Sequence, residues 1–204
     1  MERLARERDE QAAFADIGGR LREERRRRGI SQRDLARRLG LSASLISQIE
    51  TGRSKPSVST LYAIVTELGI SLDRLFHPHP EGGGPRPAAG EAAGPVVRPG
   101  ERAALELESG VRWERLTADD EDVDFLYVVY DVGGSSSSDA ALMRHQGREY
   151  GYLISGRLGV QIGFREHVLE PGDAIAFDST QPHRLWNAGD RPAHAIWFVV
   201  GRGG

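Results

Sequence analysis

The chain has 204 residues, 39% of them hydrophobic, a net charge of −3 and no cysteine, a size that suits one or two domains. The lack of cysteine excludes disulfides and thiolate metal sites, as suits a reducing compartment. No apolar run approaches the roughly 20 residues of a membrane span and the charged amino terminus lacks the apolar core of a signal peptide, so a cytoplasmic protein without membrane contact is expected.

Residues 1–11 read as a flexible amino terminus. An amphipathic stretch follows, with Phe14, Ile17 and Leu21 on one face and Arg25–Arg28 at its end. Cations at a helix carboxyl end favour the macrodipole, so the arginine run does not by itself specify a nucleic-acid contact. Residues 31–55, SQRDLARRLGLSASLISQIETGRSK, then carry the most specific signal in the chain. Two short helices cross closely only where a small side chain sits, and Ala36 supplies it. The turn between them needs a residue that tolerates positive φ, and Gly40 supplies that. Ile46 points back into the gap, Leu35, Leu39 and Ile49 fill the remaining apolar positions, and Ser42 is placed to cap the second helix. This is the pattern of a helix-turn-helix. Val58, Leu61, Ile64, Val65 and Leu68 continue the helical period, followed by Leu72, Leu75 and Phe76. Five helices are therefore expected within residues 12–76.

The second helix of the motif, Ala43 to about Thr51, would lie in a major groove. Ser44, Ser47 and Gln48 are expected at base edges. Gln32, Arg53, Ser54 and Lys55, together with the capping Ser42, are expected at or near phosphates. Glutamine suits a bidentate contact to adenine, whereas serine is undiscriminating, so the target sequence is not legible. Charge agrees: residues 1–76 carry fifteen basic and eleven acidic residues, and the remainder twelve and nineteen. The basic excess accompanies the helix-turn-helix. Residues Gly18–Phe76 resemble the lambda-repressor-like (xenobiotic-response-element type) DNA-binding domains. The resemblance implies an ion pair between Arg25 and Glu50.

Residues 77–95, HPHPEGGGPRPAAGEAAGP, read as a Pro/Gly/Ala-rich linker in which His77 and His79 are incidental. Beyond it, short alternating segments are punctuated by turn residues: 111–116, 125–132, 140–145, 150–155, 158–162, 167–169, 174–177, 183–186 and 193–200. Such spacing predicts an all-β sandwich or barrel over residues 96–204.

Two stretches in this half bear chemistry: His145-Gln-Gly-Arg-Glu149 with Gly156, and Pro171-Gly172-Asp173 leading to Asp178, His183 and Asn187. They resemble the double-stranded β-helix called the cupin. His145, Glu149 and Gly156 match its first motif, and Gly172, His183 and Asn187 its second. Met143 stands where the family has a further histidine, and Asp178 and Thr180 replace a proline and a glycine. The resemblance implies a metal site of His145, Glu149 and His183, the facial triad of two imidazoles and a carboxylate, with Fe, Zn, Mn or Ni as candidates. The same side chains would serve as hydrogen-bonding groups or as contacts to an organic ligand. Trp113, Tyr130, Met143 and Phe177 are expected to line the pocket. Arg144 and Arg148 flank the triad, and Ser135–Ser138 reads as a loop near the barrel mouth.

The expected fold is thus α+β and multidomain: a five-helix helix-turn-helix bundle followed by an all-β cupin barrel. The expected function is a transcriptional regulator that binds a palindromic double-stranded DNA operator as a homodimer and responds to a small-molecule effector in the barrel. The alternative is a mononuclear non-haem iron oxidase or epoxidase using the same triad.

Overall fold

A computed structural model of the chain describes residues 17–70, 72–76, 96–117, 123–137 and 142–201. The expected amino terminus, 1–11, and linker, 77–95, lie outside the described residues. Four helices are complete within them, where five were expected: α2 (Gln32–Leu39), α3 (Ala43–Glu50), α4 (Val58–Leu68) and α5 (Asp73–Phe76). A further helical run over residues 17–27, here α1, opens at their edge, so its expected start near residue 12 is outside them.

Local chemistry explains each boundary. Ser31, Ser42 and Ser57 each cap a helix, their hydroxyls accepting from the backbone N–H of Asp34, Leu45 and Thr60 at 3.0, 3.1 and 3.2 Å. Gly40 ends α2 at φ 67°, the left-handed turn that the motif requires. Ala36 and Ile46 are buried at the α2–α3 crossing. Gly18 supplies a second close approach, since a Cβ there would lie 2.3 Å from the Ile49 carbonyl oxygen.

The carboxy-terminal half is built from two sheets. Its strands are β1 (Ala104–Leu107), β2 (Val111–Arg115), β3 (Val123–Tyr130), β4 (Arg148–Ser155), β5 (Leu158–Ile162), β6 (Arg165–Leu169), β7 (Ala174–Asp178), β8 (His183–Asn187) and β9 (Ala193–Val200). Six form one sheet in the order β1-β2-β3-β9-β4-β7, and β6-β5-β8 form the other. Strands β3 and β9 alternate strictly between buried and more exposed residues, and β4 does so as far as Ile154, so one face of each looks into the barrel. Two expectations are corrected. Residues 142–145 form no strand, only an isolated bridge from Met143 to His183, because Gln146 and Gly147 break the extension at once. Ser135–Ser137 is no free loop: the Ser136 N–H donates to Leu185 O at 2.8 Å and its hydroxyl accepts from Leu185 N at 2.9 Å, pinning it to β8.

The ion pair anticipated in the helical half is formed and buried. Arg25 Nε and Nη2 donate to the two carboxylate oxygens of Glu50 at 2.6 and 2.9 Å, and Nη1 donates to Ile30 O at 2.6 Å. The fork ties α1 to the carboxyl end of α3, fixing the angle at which the second helix of the motif is presented. Replacing Arg25 by alanine leaves a buried unpaired carboxylate and is expected to cost about 3–5 kcal/mol of helical-domain stability, whereas Arg25→Met with Glu50→Leu costs far less. Urea unfolding followed by far-ultraviolet circular dichroism checks both values.

Candidate functional site

The first candidate surface is the outer face of α3. Ser44 and Gln48 are exposed on it, Ser47 is half-buried, and Arg53 is exposed just beyond its end, with Ser54 and Lys55 half-buried beside it. These are the positions expected to meet DNA, and they share one side because Ile46, Ile49 and Glu50 take the other into the core. Ser42 lies exposed at the amino end as the cap. Gln32 has a role that spacing did not suggest: its amide donates to Glu50 Oε2 at 2.8 Å, so it buttresses the buried ion pair.

The second candidate site lies inside the barrel. Glu149 points inward from β4, His183 begins β8, and His145 stands just before β4; all three are buried. Glu149 Oε1 is 3.0 Å from Nε2 of each histidine. The opposite ring nitrogens face backbone carbonyls, His145 Nδ1 at 3.0 Å from Gln146 O and His183 Nδ1 at 2.8 Å from Gln181 O. A carbonyl only accepts, so Nδ1 carries the proton in each neutral ring and Nε2 turns its lone pair toward the carboxylate. Both Nε2 atoms and Glu149 Oε1 are buried without a hydrogen-bond partner.

Burial pushes the Glu149 carboxyl up, but His145 and His183 together outweigh it and hold that group far below the usual carboxylate range. Burial pushes the His183 imidazole down, and the Glu149 carboxylate more than offsets this, so its pKa is raised. Burial, with the Glu149 charge second, pushes the Tyr130 phenol up, keeping it neutral. Three inward donor atoms around one negative charge form a receptor for a cation, and two nitrogens with one oxygen suit a divalent transition metal.

Sequence reasoning missed Trp197. Its Nε1 donates to Glu149 Oε2 at 2.7 Å, leaving Oε1 for the histidines. The signal was Gly151, which pairs with Trp197 across β4 and β9; a Cβ there would lie 2.0 Å from the indole ring. A glycine inside a strand marks such an approach. Beside the triad is a cavity of about 20 Å³, lined by Trp113, Tyr130, Met143, Glu149 and Trp197. Two further walls, Val58 and Tyr62, come from α4 of the helical half. Phe177 is corrected: it packs on the His183 ring at 5.1 Å but opens onto an outer groove, not this cavity. Arg148 lies over the Tyr150 ring on the outer face and Arg144 is exposed. Asn187 is structural, its amide donating to Tyr130 O and Arg191 O while its oxygen accepts from Gly189 N.

Residues 21–75 match the helix-turn-helix family and residues 126–199 the cupin domain family. The chain is 27% identical over 170 residues to the HTH-type transcriptional regulator PuuR of Escherichia coli, covering 83% of this chain and 86% of that protein. It is 35% identical over 65 residues to the uncharacterized HTH-type transcriptional regulator y4dJ of Sinorhizobium fredii, covering 32% of this chain and 84% of the relative. The crystal structure of an HTH_3 family transcriptional regulator from Vibrio cholerae superposes with a TM-score of 0.67 at 23% identity, covering 94% of this chain and 98% of that one, which shows a shared fold.

Proposed function

The chain belongs to the helix-turn-helix family of DNA-binding transcriptional regulators and carries a cupin domain, and we propose that the cupin senses a small molecule and passes the result to the DNA-binding head. The observation that carries this reading is the presence in one chain of an α3 face open to a groove and a buried His145-Glu149-His183 receptor. Its relatives are regulators, and the function is a regulator's rather than an enzyme's. The working boundaries are a head at 12–76, a linker at 77–95 and a sensor at 96–204, in a cytoplasmic protein. No helix among the described residues is long and apolar enough to cross a membrane.

On the operator, Gln48 and the two serines face base edges, and Arg53, Ser54, Lys55 and Gln32 meet or support contacts to phosphates. One such head buries too little surface for tight specific binding, so the operator is palindromic and the protein a homodimer. The second copy has a surface to fit. Tyr150, Tyr152 and Ile154 are 42%, 49% and 44% exposed along the outer face of β4. Beside Tyr150 and Tyr152 run Ala176 and Ala174 of β7, the last strand of its sheet. An apolar strip at an open sheet edge suits isologous pairing with another copy.

His145, Glu149 and His183 would hold a divalent metal, which would supply a charged anchor for an effector's donor atom. Trp197 orients the carboxylate, and the backbone carbonyls of Gln146 and Gln181 orient the rings. A bound effector shifts the population between two arrangements of head and sensor in proportion to its differential affinity for them.

Gln48→Ala and Arg53→Ala are each expected to weaken binding to the chain's own promoter region by about 1–3 kcal/mol, and Arg53→Ala to reduce the salt slope by about one; fluorescence anisotropy across salt concentrations reads both. A chelator-stripped chain is expected to take up about one Mn, Fe, Ni or Zn ion, with Trp197→Phe weakening uptake about 10–100-fold and His183→Ala abolishing it. Titration with elemental analysis measures this, and no uptake by the parent chain removes the metal from the reading. Tyr152→Glu is expected to convert a dimer to a folded monomer in light-scattering chromatography.

A further inference from the structure

The helix that closes the sensor pocket belongs to the DNA-binding head. Val58 and Tyr62 stand four residues apart on α4 and so share one stripe of it. That stripe faces the barrel, while Leu61, Ile64, Val65 and Leu68 are buried as well. The Tyr62 ring lies flat on the imidazole of His145, centroids 4.5 Å apart and planes 5° apart, and meets Trp113 edge-on at 5.5 Å. Two backbone bonds fasten the approach: Ser59 N to Ser136 O at 3.0 Å and Glu108 N to Pro56 O at 3.1 Å.

The remaining cavity, about 20 Å³, is near the minimum that holds a single water, about 10–15 Å³. A metal ion fits there; an organic molecule does not. Tyr62 itself occupies the space an organic ligand would need beside His145. Nineteen residues join Phe76 to Val96, and a chain of that length spans on the order of 60 Å when extended, so the connection permits α4 to leave without parting the two halves.

We propose that Tyr62 is the removable wall of the cupin pocket, so that seating a flat organic ligand beside His145, Glu149 and His183 and undocking the DNA-binding head from the barrel are one event. The ligand class follows from what it displaces: a planar group able to stack on His145 and meet Trp113 at its edge. This deepens the sensor reading and rests on it. The route from pocket to DNA is α4 itself, whose other face is part of the head's core.

The test uses the full chain, which has no cysteine of its own. Ser57→Cys and Glu108→Cys flank the Pro56–Glu108 bond and line one groove. Joined by a short bis-maleimide they tether α4 to the barrel; capped singly with N-ethylmaleimide they leave it free. Diethyl pyrocarbonate, larger than water and reactive toward unprotonated imidazole, is the probe, and peptide mass spectrometry in the presence of chelator reads each histidine. His145 and His183 are expected to react at least tenfold more slowly in the tethered chain than in the capped one, with exposed His167 unchanged. Equal rates overturn the proposal. Tyr62→Ala is expected to speed both sites at least tenfold; should alanine unfold the head, the tethered pair still decides. Anisotropy with the promoter region separates the two readings. Slowed labelling with equal promoter affinity in tethered and capped chains leaves the gate standing and overturns the sensor reading. Equal labelling with unequal affinity overturns the gate and leaves sensing to another route.

Discussion

An ionised carboxylate taken out of water costs several kcal/mol unless the protein compensates it, and the barrel interior is organised around one such group, Glu149. Trp197 satisfies one of its oxygens and the two histidines converge on the other. Gly151 has no side chain because the indole lies across that position. Tyr130 stays neutral partly because the negative charge is near. Each imidazole is held at Nδ1 by a backbone carbonyl, so that Nε2 faces inward toward the carboxylate.

The head contains the same problem solved differently. Glu50 is as buried as Glu149, but it receives the full guanidinium fork of Arg25 and a further amide from Gln32. Nothing is left for a visitor to supply. One buried carboxylate is thus closed by the chain and fixes a helix angle, and the other is shared between two histidines with which it could hold a cation. The contrast separates the two halves of the chain, using the same residue type in both.

What was legible in the sequence depended on distance along the chain. The helix-turn-helix spacing was legible because Ala36, Gly40 and Ile46 lie within one short motif; the Arg25–Glu50 pair, 25 residues apart, and the triad, split between residues 145–149 and 183, followed from family resemblance, and the structure brings the members of each together. Strand β1 was overlooked because four residues give too little alternation to stand out. The place of Trp197 was hidden because it depends on the register of β4 against β9, which no local pattern encodes, although Gly151 marked the spot. The Gln32 contact to Glu50 was not foreseen, since nothing in the motif marks it. Tyr62 sits one position from Leu61 and Ala63 in a helix whose apolar period already looked complete, so nothing local showed that a second domain covers it.

That covering explains why α4 is apolar on more than one side. Leu61, Ile64, Val65 and Leu68 serve the head, and Val58 and Tyr62 serve the barrel. The energy of the junction fits the size of a switch. A stacked aromatic pair contributes about 0.5–1.5 kcal/mol beyond its buried area, and each of two backbone bonds about 0.5–1.5 kcal/mol net. The sum is on the order of a few kcal/mol, comparable to the 1–3 kcal/mol of a typical coupling between sites. A much stronger junction would resist any small molecule, and a much weaker one would leave the head undocked with or without it. A rigid helix with one face in each domain moves both together.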